Sequence, residues 1–256
     1  MNIITCFKVV PDEQDLFIDV NGDISAEKAK INISNYDLNC IEAGTQLIES
    51  NGGNYAAISV GSARINDSKL KKNVLSRGPK SLLLIADDQL NNLDTHQTAL
   101  ALKAGIGKIG KYDLILCGEG SADLYAQQVG VQLGELLNVP TINSVDKISV
   151  VNGAVIAERS LEKEVETVEL SLPAVISVTS DINQPRIPSM KQILNAGKKP
   201  STVLTASDLD LTDFTRTIEV LSTKVLKQAA RKKDIVEGDS TEAIRQFIDK
   251  ISGELK

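Results

Sequence analysis

Short apolar runs that alternate with helix-like segments constrain the fold of this chain more than any other feature. The runs occupy residues 3–10, 55–60, 81–86 and 112–117, and the helix-like segments between and after them occupy residues 36–50, 66–76, 94–109 and 123–137. Short continuous apolar runs are typical of parallel strands that are buried on both faces of a sheet. The alternation therefore predicts an α/β fold with a Rossmann-like, doubly wound, mostly parallel sheet. Two of the helix-like segments have residues at capping-box spacing at their starts, which are Ser34 with Asp37 and Asp94 with Gln97.

The alternation of apolar runs with helix-like segments ends after Pro140. Residues 142–151, 154–161 and 165–172 predict an antiparallel meander, in which Asn152-Gly153 favours a type I′ turn. A further buried strand follows Pro173, and residues 181–200 predict an exposed loop and a short helix. Near the start, Asn21-Gly22 predicts a β-hairpin that interrupts the first crossover.

We predict two regions. Residues 1–200 form an α/β domain. Residues 201–256 form an extended C-terminal arm, which is polar, carries a Lys/Arg cluster at 231–233 and ends in an amphipathic segment at 241–251. Because the arm lacks a core of its own, we expect it to wrap over its own domain or, as the preferred reading, over a partner subunit.

Composition limits the chemistry that the side chains can perform. The 256 residues include one His and three Cys, and the net charge is −6. This charge argues against a nucleic-acid binder, and scattered cysteines without C-x-x-C predict neither disulfides nor a metal site. We expect Cys6 and Cys117 to pack as small apolar residues and His96 to be a solvated first-turn residue of a helix. No apolar run is long enough for a membrane span and no signal peptide is recognisable, so we expect a cytoplasmic protein without catalytic residues of its own.

The best candidate binding site follows the run that ends at Cys117. Gly118 and Gly120 permit close approach of a ligand to the backbone, and a helix predicted to begin near Asp123–Gln127 offers free N–H groups to a phosphate. Ser121, Gln127 and Gln128 add neutral hydrogen-bonding groups, and Asp123 suits capping or a ribose hydroxyl. The spacing matches neither G-x-G-x-x-G nor a Walker A loop. An ordinary loop between a strand and a helix fits these residues equally well.

Longer segments resemble a known family. The β subunit of electron transfer flavoproteins, and its FixA-type branch in particular, is similar to this chain over essentially the full length. The segments that carry the resemblance are Thr5-CFKVVPDEQD, Ser34-NYDLNCIEAG, Val74-LSRGP, Gly118-EGSADLYAQQVG, Ala157-ERSLEKEVETVELSLPAVIS and Asp181-INQPRIPSMKQIL.

The resemblance implies a heterodimeric electron carrier with no catalytic residues in this chain. The α subunit would hold the main FAD. Residues 1–200 of this chain would be a nucleotide-binding α/β domain of the adenine nucleotide alpha hydrolase-like type, which binds AMP or a second FAD. The sequence Pro140-TINSV departs from the pattern of electron-bifurcating members, which leaves the second FAD open. The cofactor-binding residues implied by the matching segments are Cys6, Lys8, Asn35, Tyr36, Val60, Cys117, Gly118, Glu119, Gly120, Ser121, Asp123, Tyr125, Ala126, Gln127, Gln128 and Val129.

The resemblance also implies partners. An acyl-CoA dehydrogenase-like flavoprotein of fatty acid or carnitine metabolism would dock on the loop that contains Arg186 and Met190, with Met190 as the apolar anchor and Arg186 as an orienting charge. The alternative is an adenine-nucleotide-binding sensor or signalling module without redox partners. An ATP-cleaving adenylating enzyme is a third reading, which the missing phosphate-loop lysine disfavours.

Overall fold

The computed structural model describes residues 1–211, 218–226 and 233–253. Its strands are β1 (Asn2–Cys6), β2 (Val9–Pro11), β3 (Phe17–Ile18), β4 (Ile24–Ser25), β5 (Ile31–Ile33), β6 (Asn54–Gly61), β7 (Ser81–Ala86), β8 (Leu114–Gly118), β9 (Thr141–Val145), β10 (Lys147–Val151), β11 (Ala154–Ser160), β12 (Val165–Leu170), β13 (Ala174–Val178) and β14 (Ser201–Leu204). The α-helices are α1 (Asn35–Asn51), α2 (Ser68–Ser76), α3 (Thr95–Ile109), α4 (Val129–Leu137), α5 (Met190–Ala196) and α6 (Thr241–Ser252).

The central sheet has seven strands in the order β14-β7-β6-β1-β8-β13-β9. All of its strand pairs are parallel. From β1 the chain moves outward through β6 and β7, then returns to the opposite side of β1 with β8. The order therefore reverses between β1 and β8, which confirms the predicted doubly wound sheet and marks the crevice where such sheets bind ligands.

Both faces of the sheet are covered. Leu114 and Leu116 of β8 belong to a buried cluster with Cys40 of α1. Ile115, between them, points to the opposite face and joins a cluster with Ile106 of α3. Successive side chains of a strand face opposite sides, so a strand that is apolar at every position needs helices on both sides. This requirement explains why the continuous apolar runs predicted the layers correctly.

Two predicted strands are divided in the structure. Residues 3–10 form β1 and the separate β2, which pairs with β5. Residues 142–151 form β9, in the central sheet, and β10, in the meander. The break lies at Asp146, which is already paired with β11. Its N–H donates to the Glu158 carbonyl, and its carboxylate accepts a hydrogen bond of 3.0 Å from the Ser160 backbone.

The predicted meander is confirmed as the antiparallel sheet β10-β11-β12. The turn between β10 and β11 has φ of 51° at Asn152 and 85° at Gly153. Two positive φ angles are what a type I′ turn requires, and Asn and Gly tolerate them best. The hairpin at Asn21-Gly22 is also present, as the pair β3–β4.

The predicted C-terminal arm begins inside the sheet. Strand β14 pairs with β7, and Leu209 is buried, so residues 201–209 belong to the folded α/β unit. Further along, Val225 donates a backbone hydrogen bond of 2.9 Å to Gly22 in the hairpin turn. The predicted amphipathic segment is α6. Residues 231 and 232 of the Lys/Arg cluster lie outside the described residues. Within the described ranges, no helix has the length and apolar character needed to cross a membrane.

Tyr55 provides a test of the core between α1 and the sheet. Its buried hydroxyl donates to the Ile41 carbonyl at 2.9 Å and lies 2.9 Å from the Thr5 hydroxyl. Tyr55→Phe removes both hydrogen bonds without changing the shape of the ring, so we expect the free energy of unfolding in urea to fall by about 1–2 kcal/mol. Tyr112→Phe, at a half-buried ring, is the matched control. Equal effects of the two substitutions would contradict this role of the Tyr55 hydroxyl.

Candidate nucleotide site

A buried carboxylate joins the two strand ends at the switch point. Asp37, in the first turn of α1, accepts a hydrogen bond of 2.7 Å from the Lys8 backbone and one of 3.2 Å from the Gly118 backbone. Lys8 follows β1 and Gly118 ends β8, and Asp37 is only 5% exposed. One side chain therefore fixes the distance between the two loops that flank the crevice.

The environment of Asp37 opposes its ionisation. Burial raises the pKa of Asp37 to about 7, although the backbone N–H groups of Lys8 and Gly118 and the charge of Lys8 act in the opposite direction. The neighbouring Asp123 carboxylate adds to the increase. Asp37 therefore titrates near neutral pH while it holds two backbone donors.

The Ser34–Asp37 spacing, which in sequence matches a capping box, has a different use. Ser34 is the N-cap residue of α1, but its side chain forms no cap hydrogen bond. Its hydroxyl instead accepts a hydrogen bond of 3.2 Å from the Ala122 backbone. The predicted capping box at Ser34 is therefore wrong, and both polar side chains of this helix end serve the loops of the candidate site.

The helix after β8 begins later than the sequence predicts. It starts at Val129, and residues 119–128 form an irregular loop. Tyr125 and Gln127 have φ of 46° and 56°, a left-handed conformation that cannot continue into a right-handed helix. The free helix end therefore lies near Gln128, which supplies no side-chain cap, and not at Asp123–Gln127 as predicted.

Lys8 and Asp123 form a second connection across the crevice. The Lys8 ammonium donates to both carboxylate oxygens of Asp123, at 2.8 and 2.6 Å. Burial opposes ionisation of Asp123, but the hydrogen bonds from Lys8 and Ser121 prevail and lower its pKa. The loop after β1 and the loop after β8 are thus held together by charge as well as by Asp37.

The glycines of the loop make room for side chains of the same chain. A Cβ on Gly118 would lie 2.5 Å from the Asp37 carboxylate, and a Cβ on Gly120 would lie 2.5 Å from the Tyr125 ring. The Tyr125 ring in turn packs against Tyr36, with ring centroids 5.0 Å apart and planes tilted by 46°. The space beside both glycines, expected to admit a ligand, is therefore filled by Asp37 and Tyr125.

The other predicted site residues are distributed around this centre. Cys6 and Cys117 are buried at the ends of β1 and β8. A hydrogen bond between the two thiols and burial raise the pKa of Cys6 well above its ordinary value, so the Cys6 thiol is not activated as a nucleophile by its surroundings. Asn35 opens α1, and Val60 lies on β6 in register with Ile85 of β7.

The remaining loop positions are mostly accessible. Glu119, Gly120 and Ser121 are half-buried, and residues 122–128, which include Ala126, Gln127 and Gln128, are exposed. The Gln128 side chain accepts a hydrogen bond of 3.1 Å from the Thr95 hydroxyl at the start of α3. Val129 is the first residue of α4. The predicted residues thus surround an open, loop-lined crevice.

Two cavities lie elsewhere in the molecule. One, of about 400 Å³, separates α1 from β10, and the other, of about 270 Å³, lies between α1, α2 and α5. None of the predicted cofactor-binding residues lines either cavity. The strand order and the contacts of Asp37 identify the candidate site instead, because the volume of a cavity does not by itself identify a nucleotide site.

Of the two predicted docking residues, Arg186 contacts α1 beyond its first turn, and Met190 begins α5, which packs against α2. We use the name docking segment for residues 183–194. Ile187, Met190 and Leu194 in this segment are 92%, 72% and 68% exposed. Arg186, by contrast, binds the carboxylates of Glu42 and Glu49 on α1. Its charge is neutralised within the chain and is not presented alone to a partner.

The titration of Asp37 gives a pH prediction. The folded state retains this proton up to about pH 7, whereas the unfolded state releases it near pH 4, so protonation favours folding and stability decreases as pH rises between these values. In Asp37→Asn this dependence is absent. The measurement is the free energy of unfolding by urea, determined for the wild type and for Asp37→Asn at pH 4 and at pH 7.5. We expect the difference between the two proteins, wild type minus variant, to decrease by at most about 4 kcal/mol between these pH values. A difference that is constant with pH would contradict a raised pKa.

Comparison with known protein families agrees with this architecture. The family model described as the electron transfer flavoprotein domain matches residues 23–209. This range contains α1, the loop after β8, the meander and the docking segment, and it covers most of the chain. The chain belongs to the electron transfer flavoprotein domain family.

Proposed function

We propose that this chain is the β subunit of a heterodimeric electron transfer flavoprotein, of the FixA-type branch. It binds AMP or FAD and, with an α subunit, carries electrons from an acyl-CoA dehydrogenase-like flavoprotein to a downstream acceptor. The family match over residues 23–209 carries this proposal, because members of the family act as electron carriers. The proposed compartment is the cytoplasm.

The crevice at the switch point supports nucleotide binding. The start of α4 has no side-chain cap at Gln128, so its first N–H groups are available to an anion. Ser121 and Gln127 on the loop supply further neutral donors, and Tyr36 and Tyr125 supply aromatic surfaces. These residues would hold the phosphate and the adenine ring. The bound flavin of the heterodimer would supply the redox chemistry, and this chain would supply orientation and exclusion of water.

Exposed apolar side chains support the proposal that a partner subunit binds the C-terminal arm. In α6 only Ala243 is buried, whereas Ile244, Phe247 and Ile248 remain about half exposed. Leu221 and Leu226, in the described part of the arm that lies beside the hairpin, are almost fully exposed. A helix keeps such an apolar stripe when a partner covers it, which agrees with an arm that wraps over an α subunit.

A nucleotide-binding sensor without redox partners predicts a different purification result. We would express this chain with and without a candidate α subunit and analyse the purified protein by absorption spectroscopy and nucleotide extraction. The proposed function requires a heterodimer with flavin, plus either AMP or a second flavin. A stable monomer with a nucleotide and without a flavoprotein partner would support the sensor.

Gly118→Val tests the position of the nucleotide. The new Cβ would displace the Asp37 carboxylate, which lies 2.5 Å from that position, and would separate the two loops. We expect nucleotide content of the heterodimer to fall about tenfold or more. Gly107→Val is the matched control, because nothing lies within 4 Å of the corresponding Cβ on α3. Stoichiometric nucleotide in Gly118→Val would refute this placement.

Met190→Glu tests the docking segment. A charge at the proposed apolar anchor should weaken binding to a reduced acyl-CoA dehydrogenase, and we expect kcat/KM for electron exchange to fall about tenfold or more with nucleotide content unchanged. Val151→Glu, at an exposed apolar position of the meander, is the control. If both variants exchange electrons at the wild-type rate, Met190 is not the anchor.

A further inference from the structure

The docking segment is attached to α1 through polar groups. Asn39 on α1 donates to the carbonyls of Ser180 and Asn183, at 3.0 and 2.7 Å, and Asn183 returns a hydrogen bond of 3.0 Å to the Asn39 carbonyl. Arg186 follows three residues later with a second set of bonds to the same helix. Specific side-chain contacts therefore hold the start of the docking segment against α1.

Arg186 is bound by two carboxylates at once. Its backbone N–H and its Nε donate to Glu42 Oε2 at 3.2 and 2.7 Å, and its Nη2 donates to Glu42 Oε1 at 2.9 Å. Its Nη1 and Nη2 also reach the two oxygens of Glu49, at 2.6 and 2.9 Å. These hydrogen bonds raise the pKa of Arg186 above its ordinary range and lower that of Glu49. The planar guanidinium can make both pairs of bonds simultaneously, and an ammonium group cannot.

A third element holds the backbone of the same residue. Arg77, at the end of α2, donates from Nη1 to the Arg186 carbonyl at 2.6 Å. The backbone N–H, the carbonyl and the side chain of Arg186 are therefore all engaged with α1 or α2. The hydrogen bonds of Ser189, by comparison, go to Gln192 and Ile193 within the docking segment itself.

Apolar packing contributes little to the position of this segment. The cavity of about 270 Å³ lies beneath it and is lined by Arg77, Arg186, Gln192 and Asn195 among others. Helix α5 packs against α2, but only Ala196 of α5 is buried, and Ile187, Met190 and Leu194 are largely exposed. A loop that spans a cavity and exposes its apolar residues depends on its polar contacts for a fixed conformation.

We propose that Arg186 is a positioning residue, which holds the docking segment on α1 so that its exposed apolar side chains are preorganised for the flavoprotein partner. The inference rests on the proposed function of the docking segment, but it assigns Arg186 to the inside of the subunit and not to the partner contact. A preorganised loop loses less conformational entropy on binding, so the benefit should be found in affinity and not in the electron-transfer step.

The test uses the heterodimer with Arg186→Lys and Glu49→Gln. Glu49 is exposed, so its substitution leaves no unpaired charge in the interior, whereas removal of the Arg186 charge would strand the buried Glu42. Arg64→Lys, which affects a single bond to the Ala29 carbonyl, and Glu158→Gln, which breaks an ion pair with Lys147 on the meander, are the matched controls.

With a reduced acyl-CoA dehydrogenase as the probe, we expect KM for the Arg186→Lys heterodimer to rise about fivefold or more and kcat to stay within about twofold. Glu49→Gln should have a smaller effect of the same kind. Amide hydrogen exchange should accelerate in residues 183–194 for both variants, with nucleotide content unchanged. The two controls should match the wild type in each measurement.

Unchanged amide exchange in the docking segment, or a KM increase no larger than that of Arg64→Lys, would overturn the proposal. A decrease confined to kcat would also overturn it. Failure of the proposed function has a separate signature, because Met190→Glu would then leave electron exchange unaffected. In that case the amide-exchange comparison alone still decides whether Arg186 fixes the segment.

Discussion

The structure of the candidate site depends on the buried carboxylate of Asp37. In a doubly wound sheet the chain leaves β1 and β8 in opposite directions, so no further strand can pair with the backbone just beyond both ends. Without Asp37, the partly buried N–H groups of Lys8 and Gly118 would lack the acceptor that they have in this structure, which is costly. Asp37 accepts both, and its place in the first turn of α1 puts it where the helix dipole favours negative charge. Asp37 therefore sets the spacing of the two strand ends, and the Lys8–Asp123 ion pair adds a second connection between the loops beyond them.

Helix α1 also carries the contacts of the docking segment. Its first turn supplies Ser34 and Asp37 to the loops at the switch point, and its later turns supply Asn39, Glu42 and Glu49 to residues 183–186. A helix packed against the sheet is stiff compared with either loop. The crevice and the docking segment are therefore built on one rigid element, and their relative position does not depend on the intervening loops.

The sequence predicted the layers better than the contacts at the site. Apolar runs of strand length placed the buried strands, and the capping box at Asp94 and Gln97 is confirmed at the start of α3. The same spacing at Ser34 and Asp37 predicted a capping box that is absent, because local spacing cannot reveal that Lys8, Gly118 and Ala122 approach from other parts of the chain. The late start of α4 was missed for a similar reason, since the left-handed residues Tyr125 and Gln127 are neither Gly nor Asn. Arg186 looked like a free charge because its two carboxylate partners lie about 140 residues earlier.

These tertiary contacts also explain how a chain with one histidine can support a redox protein. Several charged groups near the crevice and the docking segment are engaged within the chain: Asp37 with the backbone of two strand ends, Lys8 with Asp123, and Arg186 with Glu42 and Glu49. The proposed function therefore relies on backbone N–H groups, neutral side chains and exposed apolar residues to contact a ligand and a partner. A scaffold that orients a cofactor and a partner needs rigid geometry more than reactive side chains, because the cofactor contributes the reactivity. The polar side chains of this chain accordingly act on the conformation of its loops, and the raised pKa of the buried Cys6 thiol agrees with that division of roles.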